Sequence, residues 1–279
     1  MRFLANFMEL WQLGILQPAL VVGLLVTLCA ALLGVPLVLR RYSMIGDGLS
    51  HVGFGALAIA AALHWAPLPV ALPAVVLAAF LLLRAGGAKL RGDAAIALLS
   101  TGCLAVGVLA VYLAGGTNVD LMNYLFGSLW AVTKTDMWLS AGLCALALPG
   151  FCWFYHRIFS IAFDESFARA TGLRTGWYQF FTAALASLTI VLGMRMLGTM
   201  LISSMLIFPA LISMRVCKSF RRAVVCAAVV SEASFLLGFA LSCAGPPTGA
   251  SIVAVNLLFF GLFSLIGWIR GRRVAAHSA

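Results

Sequence analysis

Apolar residues run along this chain in blocks of bilayer length, divided by short polar breaks. The blocks fall near 16–39, 43–64, 67–83, 94–114, 136–156, 177–193, 197–214, 223–243 and 250–269. A membrane-crossing helix needs about 20 mostly apolar residues, and a helix satisfies its own backbone groups where no water is present. The pattern therefore predicts an all-α, polytopic membrane bundle of 8–9 spans. The count turns on 177–193 and 197–214, which read either as two spans or as one full helix followed by a re-entrant or tilted piece. Residues 1–15 hold Glu9 and polar breaks among aromatic and aliphatic side chains. That mixture fits an interfacial amphipathic segment, with no cleavable signal evident.

Composition sharpens the class. The chain is 63% hydrophobic and only 9% charged, with a mean hydropathy of +1.10, where a soluble domain carries about 25% charged residues. Residues 1–279 thus read as one transmembrane domain with almost nothing left over for a soluble one. The net charge of +10 does not point to nucleic acid, because the charges lie in short loops and report topology instead. With the Arg40-Arg41 turn cytoplasmic, that side also takes Arg84, Lys89, Arg91, Arg157, Arg169, Arg174, Arg215, Lys218, Arg221, Arg222, Arg270, Arg272 and Arg273. This is 15 of the 18 basic residues, against Arg2, Lys134 and Arg195 on the other side. The N terminus is then expected outside and the C terminus in the cytoplasm. The seven cysteines are isolated and form no C-x-x-C pair, so they read as small buried apolar residues.

One polar-containing connection on the basic side is longer than the rest, residues 157–176. Asp164 and Glu165 suit a helix N terminus, and Gly172 followed by Arg174 suits its end. A short helix lying on the cytoplasmic face is a grip for a partner protein, or simply a capped surface helix.

Chemistry concentrates in the second block. Asp47 and His51 stand inside an apolar span, where an acid costs roughly 2.5–3.5 kcal/mol on insertion scales and marks function by default. Four residues apart on a helix, they share one face with Gly55, Ala58 and Ala62. Small residues admit a neighbouring backbone, which turns the pair toward the bundle. A rise of about 1.5 Å per residue from Ser43 puts His51 roughly 12 Å from the cytoplasmic end. Carboxylate and imidazole together suit a divalent transition metal; the same spacing also suits a structural hydrogen bond or an acid–base pair.

Two ligands leave a metal shell open, to be completed by another helix, water or a second subunit. Glu232 is the other acid well inside a span, a candidate ligand or the partner of a basic or hydroxyl group. Asn118, Asp120 and Asn123 in the loop 115–135 are placed to line an entrance. Ser203 and Ser204 interrupt the seventh span, either facing a pathway or bonding back to their own helix. His51 has no mate for haem. No Walker A motif, H-E-x-x-H or G-x-S-x-G occurs, so ATP hydrolysis and the two familiar protease chemistries are not expected of this chain.

The stretch from Arg40-Arg41 through Gly46-Asp47-Gly48-Leu49-Ser50-His51 resembles the signature of the membrane permeases of ATP-binding-cassette (ABC) importers for zinc, manganese and iron. Tyr124–Leu129 is similar to that family's F-G-S segment, and Asp164–Leu173 to its D-E-x-F-A-x-x-x-G loop. Gly198–Ser204 with Pro209-Ala210, and Pro246-Pro247-Thr248-Gly249-Ala250 with one inserted threonine, follow in the family's order. The resemblance covers about residues 14–269. It implies a homodimeric, non-enzymatic permease in a bacterial plasma membrane, with the path at the subunit interface. It further implies a cytoplasmic ATPase dimer docked on the 164–172 loop and an extracytoplasmic metal-binding protein. By position, Asp47 and His51 would hold the transported metal, while Asp164, Glu165, Ala168 and Gly172 would couple to the ATPase. Zinc is favoured over manganese or iron; a passive channel or a membrane-embedded enzyme are the alternatives. Arg195, near the outer end of its span, departs from the family and would either repel a cation or dock the binding protein.

Overall fold

A computed structural model describes residues 16–84, 92–115 and 132–277, with side chains for 17–83, 94–115 and 132–266. The interfacial segment 1–15 and the entrance candidates Asn118, Asp120 and Asn123 lie outside the described residues, as does Tyr124–Leu129.

Among the described residues the chain is helical throughout: α1 Leu16–Leu39, α2 Ile45–Ala62, α3 Pro67–Arg84, α4 Gly92–Leu113, α5 Lys134–Phe163, α6 Glu165–Ala170, α7 Thr175–Leu197, α8 Thr199–Val216, α9 Phe220–Ser242 and α10 Thr248–His277. Eight of them are long and apolar enough to cross a membrane, and Pro67–Leu83 is a shorter apolar helix beside them. Of the two readings of the sixth and seventh blocks, the helix lengths agree with two spans. Both α7 and α8 are of spanning length, and they meet at Gly198, whose φ of +88° turns the chain at a single residue.

Ser203 and Ser204 do not break α8. Their hydroxyls donate to the carbonyls of Thr199 and Leu201, both at 2.8 Å, and the helix continues through them to Val216. Back-bonding of this kind hides a hydroxyl without needing a partner helix.

In the bundle, α2 packs on α3, α4, α7 and α8, while α1 packs on α5, α7, α8 and α9, with α10 closing over α8 and α9. Close approach relies on missing side chains. A Cβ at Gly55 of α2 would stand 2.5 Å from the Cys103 carbonyl oxygen of α4, and one at Gly107 would stand 2.8 Å from the Gly55 Cα. The face carrying Gly55 and Ala58 is therefore the one that meets α4, as the small-residue pattern suggests. Between helices, Ser231 donates to the Thr27 carbonyl at 3.1 Å, while the Ser187 hydroxyl, bonded back to the Ala183 carbonyl at 2.7 Å, also comes within 3.2 Å of the Val75 carbonyl. Bonds of this class average only about 0.6 kcal/mol in membranes, so packing carries the association.

The turn that leads into α2 has unusual chemistry. Tyr42 N–H donates to the Leu37 carbonyl and Arg41 N–H to that of Val38, the paired bonds of a Schellman motif. Its left-handed residue is Arg41, at φ +63°, where glycine is usual because a Cβ crowds the carbonyl. His64, at φ +56°, performs the same service at the end of α2, with Trp65 N–H bonded to the Ala60 carbonyl. That conformation accounts for His64 without any functional role.

Candidate functional site

The first turns of α2 carry the candidate metal pair. Asp47 lies in the first turn of its helix, where the exposed N–H groups favour a carboxylate. His51 Nε2 stands 3.6 Å from Asp47 Oδ1, outside hydrogen-bond range. The structural hydrogen bond is thus not formed. Two ligands each about 2.1 Å from a tetrahedral ion are separated by about 3.4 Å, so the two atoms are already spaced as a bite for one ion.

Exposure adds direction. His51 is 19% exposed and Asp47 44%, although the helix that carries them is otherwise largely buried. The carboxylate opens outward from the single chain while the imidazole is half sheltered beneath it. His51 Nδ1 is buried with no hydrogen-bond partner among the described residues. A ligating imidazole ordinarily donates its second N–H to a carboxylate, a carbonyl or water. Among the described residues, no group of three or more His, Cys, Asp or Glu is placed to hold a metal, so among those residues the pair stands without a third such ligand.

Glu232 is not brought to the pair. It lies on α9, where its Oε1 stands 3.3 Å from the Thr27 hydroxyl of α1, which also donates to the Gly23 carbonyl at 2.8 Å; a hydroxyl neighbour is among the readings of the sequence. Ser203 lies against the start of α2, its Cα 3.5 Å from where a Gly46 Cβ would stand. Arg195 is no isolated cation. Its guanidinium sits 3.8 Å from Asp136 Oδ1, and Asp136 is 6% exposed. The other oxygen of Asp136 closes a capping box with Thr133 at the start of α5.

A second constellation lies at the end of the bundle where α6 emerges. Asp164 caps that helix by accepting from Phe167 N–H at 2.9 Å. Gly172, at φ +84°, ends it with the same paired bonds seen after α1, Leu173 N–H reaching the Ala168 carbonyl. Both ends are as the sequence suggests. Ala168 is fully buried and packs with Ile161 and Tyr178, so it faces this chain's own bundle and plugs α6 onto it. Two aromatic side chains face outward here: Phe163 at the end of α5 is 78% exposed and Phe167 of α6 66%. Sequence reading passed over both, because aromatic residues are unremarkable in a chain this apolar; their place beside a capped surface helix was the available signal.

Glu165 is the polar hub of this region. Its Oε2 accepts from Arg40 at 2.8 Å and its Oε1 from Arg169 at 2.8 Å. Tyr42 follows Arg40, and burial pushes its phenol above the ordinary range, the Arg40 guanidinium pulling the other way. The hydroxyl stays protonated and donates to the Leu82 carbonyl of α3 at 3.3 Å. Arg40 entered the sequence reading only as part of a basic pair. Its bond to Glu165 joins residues 125 positions apart, which no local pattern announces. Elsewhere, a groove of about 680 Å³ between α3, α5 and α7 is lined by leucines, prolines and Trp138 and offers no polar group to a metal.

The whole arrangement has relatives. The family model described as ABC 3 transport family matches residues 12–267. The chain is 30% identical over 251 residues to the high-affinity zinc uptake system membrane protein ZnuB of Haemophilus influenzae, covering 89% of this chain and 96% of that protein. It is 28% identical to the manganese import system permease protein ScaB of Streptococcus gordonii, over 88% of each. Among solved structures, PsaBC from Streptococcus pneumoniae in complex with Fab contains a chain that superposes with a TM-score of 0.81 at 28% identity, covering 93% of this chain and 94% of that one. With a match running almost end to end, this chain belongs to the ABC 3 transport family, the membrane permeases of metal ABC transporters.

Proposed function

We propose that this chain is the membrane subunit of an ABC importer for a divalent transition metal ion, zinc by preference. The observation that carries the reading is the Asp47–His51 pair, an oxygen and a nitrogen 3.6 Å apart on one helix face, with the carboxylate 44% exposed. A two-ligand site that opens outward suits completion by a second copy, whose own Asp47 and His51 would bring the donors to four. Mixed oxygen and nitrogen ligation without thiolate accepts zinc, manganese and ferrous iron, and the affinity order places zinc above manganese. The remaining parts are a cytoplasmic ATPase dimer, which supplies ATP hydrolysis, and an extracytoplasmic metal-binding protein, which delivers the ion. The N terminus lies outside and the C terminus inside, in accord with the segregation of arginines and lysines.

In this mechanism the binding protein releases the ion into an outward-facing cavity. Asp47 and His51 hold it briefly while the dimer is open on that side. ATP binding to the ATPase then moves α6, through the exposed Phe163 and Phe167, and access switches to the cytoplasm. The test is to express a tagged chain in its native background, identify what co-purifies, and measure zinc uptake into vesicles with and without ATP. The reading expects an ATPase in the purified complex and uptake that stops without ATP. Uptake that persists without ATP favours a passive channel, and a chain that never carries an ATPase removes the importer.

The capped coupling segment gives a smaller check. Asp164→Ala removes the α6 cap, worth about 0.5–2 kcal/mol at such positions. The expected result is a several-fold weaker retention of the ATPase in pull-down, with the thermal stability of the isolated chain little changed.

A further inference from the structure

The region between α6 and α2 is built as a linkage. Two cavities flank Glu165, one of about 570 Å³ against Arg40, Arg41 and Tyr42 and one of about 750 Å³ against Thr175, Trp177 and Gln179. The short helix α6 is therefore held to the bundle at few points: the buried Ala168 plug, its continuity with α5 and α7, and the bond from Glu165 to Arg40. Of these, only the last reaches the turn that begins α2. The Arg40 side chain is 11% exposed and that of Glu165 32%, so this pair is more sheltered from solvent than the surface pair Glu165–Arg169, whose arginine is 71% exposed.

Beyond Arg40 the chain is stiff. Arg40 itself donates its N–H to the Pro36 carbonyl, and the two bonds of the Schellman motif lock Arg41 and Tyr42 onto the end of α1. Tyr42 is 5% exposed, its ring lies 5.5 Å from the Arg40 guanidinium carbon, and its hydroxyl is tied to the Leu82 carbonyl. Ile45 N–H returns to the Tyr42 carbonyl, and α2 starts there with Asp47 in its first turn. A displacement of Glu165 therefore reaches Asp47 through bonded groups and one short turn, with Tyr42 as its pivot against α3.

We propose that the Arg40–Glu165 ion pair is the mechanical link between the coupling helix and the metal-holding helix, making Arg40 a positioning residue for the Asp47–His51 site. The proposal rests on the importer reading and adds to it which contact carries the signal. Arg40 touches neither metal nor ATPase in this scheme. Its removal uncouples the two while leaving each in place. Energetic coupling between two sites is established by perturbing the link and restoring it, not by spatial intermediacy alone.

The experiment uses the permease–ATPase complex in vesicles and reads the ratio of zinc taken up to ATP hydrolysed, which loss of folded protein alone does not change. In Arg40→Gln the ratio is expected to fall by about tenfold, within the roughly 5–150-fold span of common coupling free energies. Arg40→Lys, which keeps the charge, retains part of it, and the exchange Arg40→Glu with Glu165→Arg recovers most of it. A wild-type ratio in Arg40→Gln overturns the proposal, as does an exchanged pair no better than the worse single variant. If Arg40→Gln does not assemble, Glu165→Gln must show the same fall, and an unchanged ratio there overturns it equally. Uptake by the wild-type complex that needs no ATP defeats the importer reading, whereas ATP-driven uptake with unaffected variants defeats only this link.

Discussion

Replacing Asp47 and His51 together by alanine is expected to bring metal uptake down to background, a loss of at least about 100-fold. Removing groups that merely orient metal ligands commonly costs 10–100-fold, and here both candidate ligands of the chain are deleted. If two copies build the site, four donors disappear at once. Each single alanine variant leaves half of them, so uptake is expected to fall strongly in both without the two losses multiplying. Uptake of zinc at limiting concentration, normalised to permease in the membrane, checks this. Glu232→Gln is the contrast: beside Thr27 on another helix of the bundle, it is expected to change uptake by no more than about twofold in the same assay, since glutamine keeps the side chain's shape and an oxygen that accepts the same bond. Uptake that survives the double alanine variant, or that fails in Glu232→Gln while tolerating Asp47→Ala, would move the site to α9.

The second large effect is mechanical. Gly55→Val places a branched side chain where even a Cβ would stand 2.5 Å from the Cys103 carbonyl oxygen. The obstruction is backbone, which cannot swing aside as a side-chain tip does. Overpacking in a close-fitting core costs about 1–3 kcal/mol where neighbours can shift, and a wedge against backbone belongs at or above the upper end. The two helices must part, and the face carrying Asp47 and His51 moves with α2. The expected outcome is a melting temperature in detergent lowered by several degrees together with lost uptake. Gly102→Ala on α4 has nothing within 4 Å of its added Cβ and is expected to melt within about a degree of wild type. Equal stability of the two variants would mean that the approach of α2 to α4 is looser than 2.5 Å implies.

Both predictions depend on a helix face that the amino-acid pattern largely disclosed. Residues four apart share a face in any helix, so the neighbourhood of Asp47, His51, Gly55 and Ala58 follows from spacing alone. The ends of α6 were equally legible, because Asp164 and Gly172 act through bonds to backbone no more than a turn away. Serines 203 and 204 show the opposite case. A hydroxyl pair in an apolar run has two outcomes of similar energy, facing a path or bonding back to the helix, and spacing does not separate them. The structure has both bonded back, and it gives α7 and α8 each a spanning length where the pattern left two spans or one and a fragment open.

The sequence by itself determined the membrane class, the succession of helices and the family, since apolar length, capping residues and ordered motifs are local properties written along the chain. Only the tertiary structure decided that the Asp47–His51 atoms stand 3.6 Å apart without a hydrogen bond and that Glu232 belongs to Thr27. It also decided that Ala168 faces inward and that Arg40 meets Glu165 across 125 residues. The physical reason is common to all of these: each depends on which faces of which helices meet and on the rotamers that result. In a chain where nearly every face is apolar, hydrophobic pattern does not select among those meetings; the absence of a Cβ at Gly55 and a few buried polar bonds do.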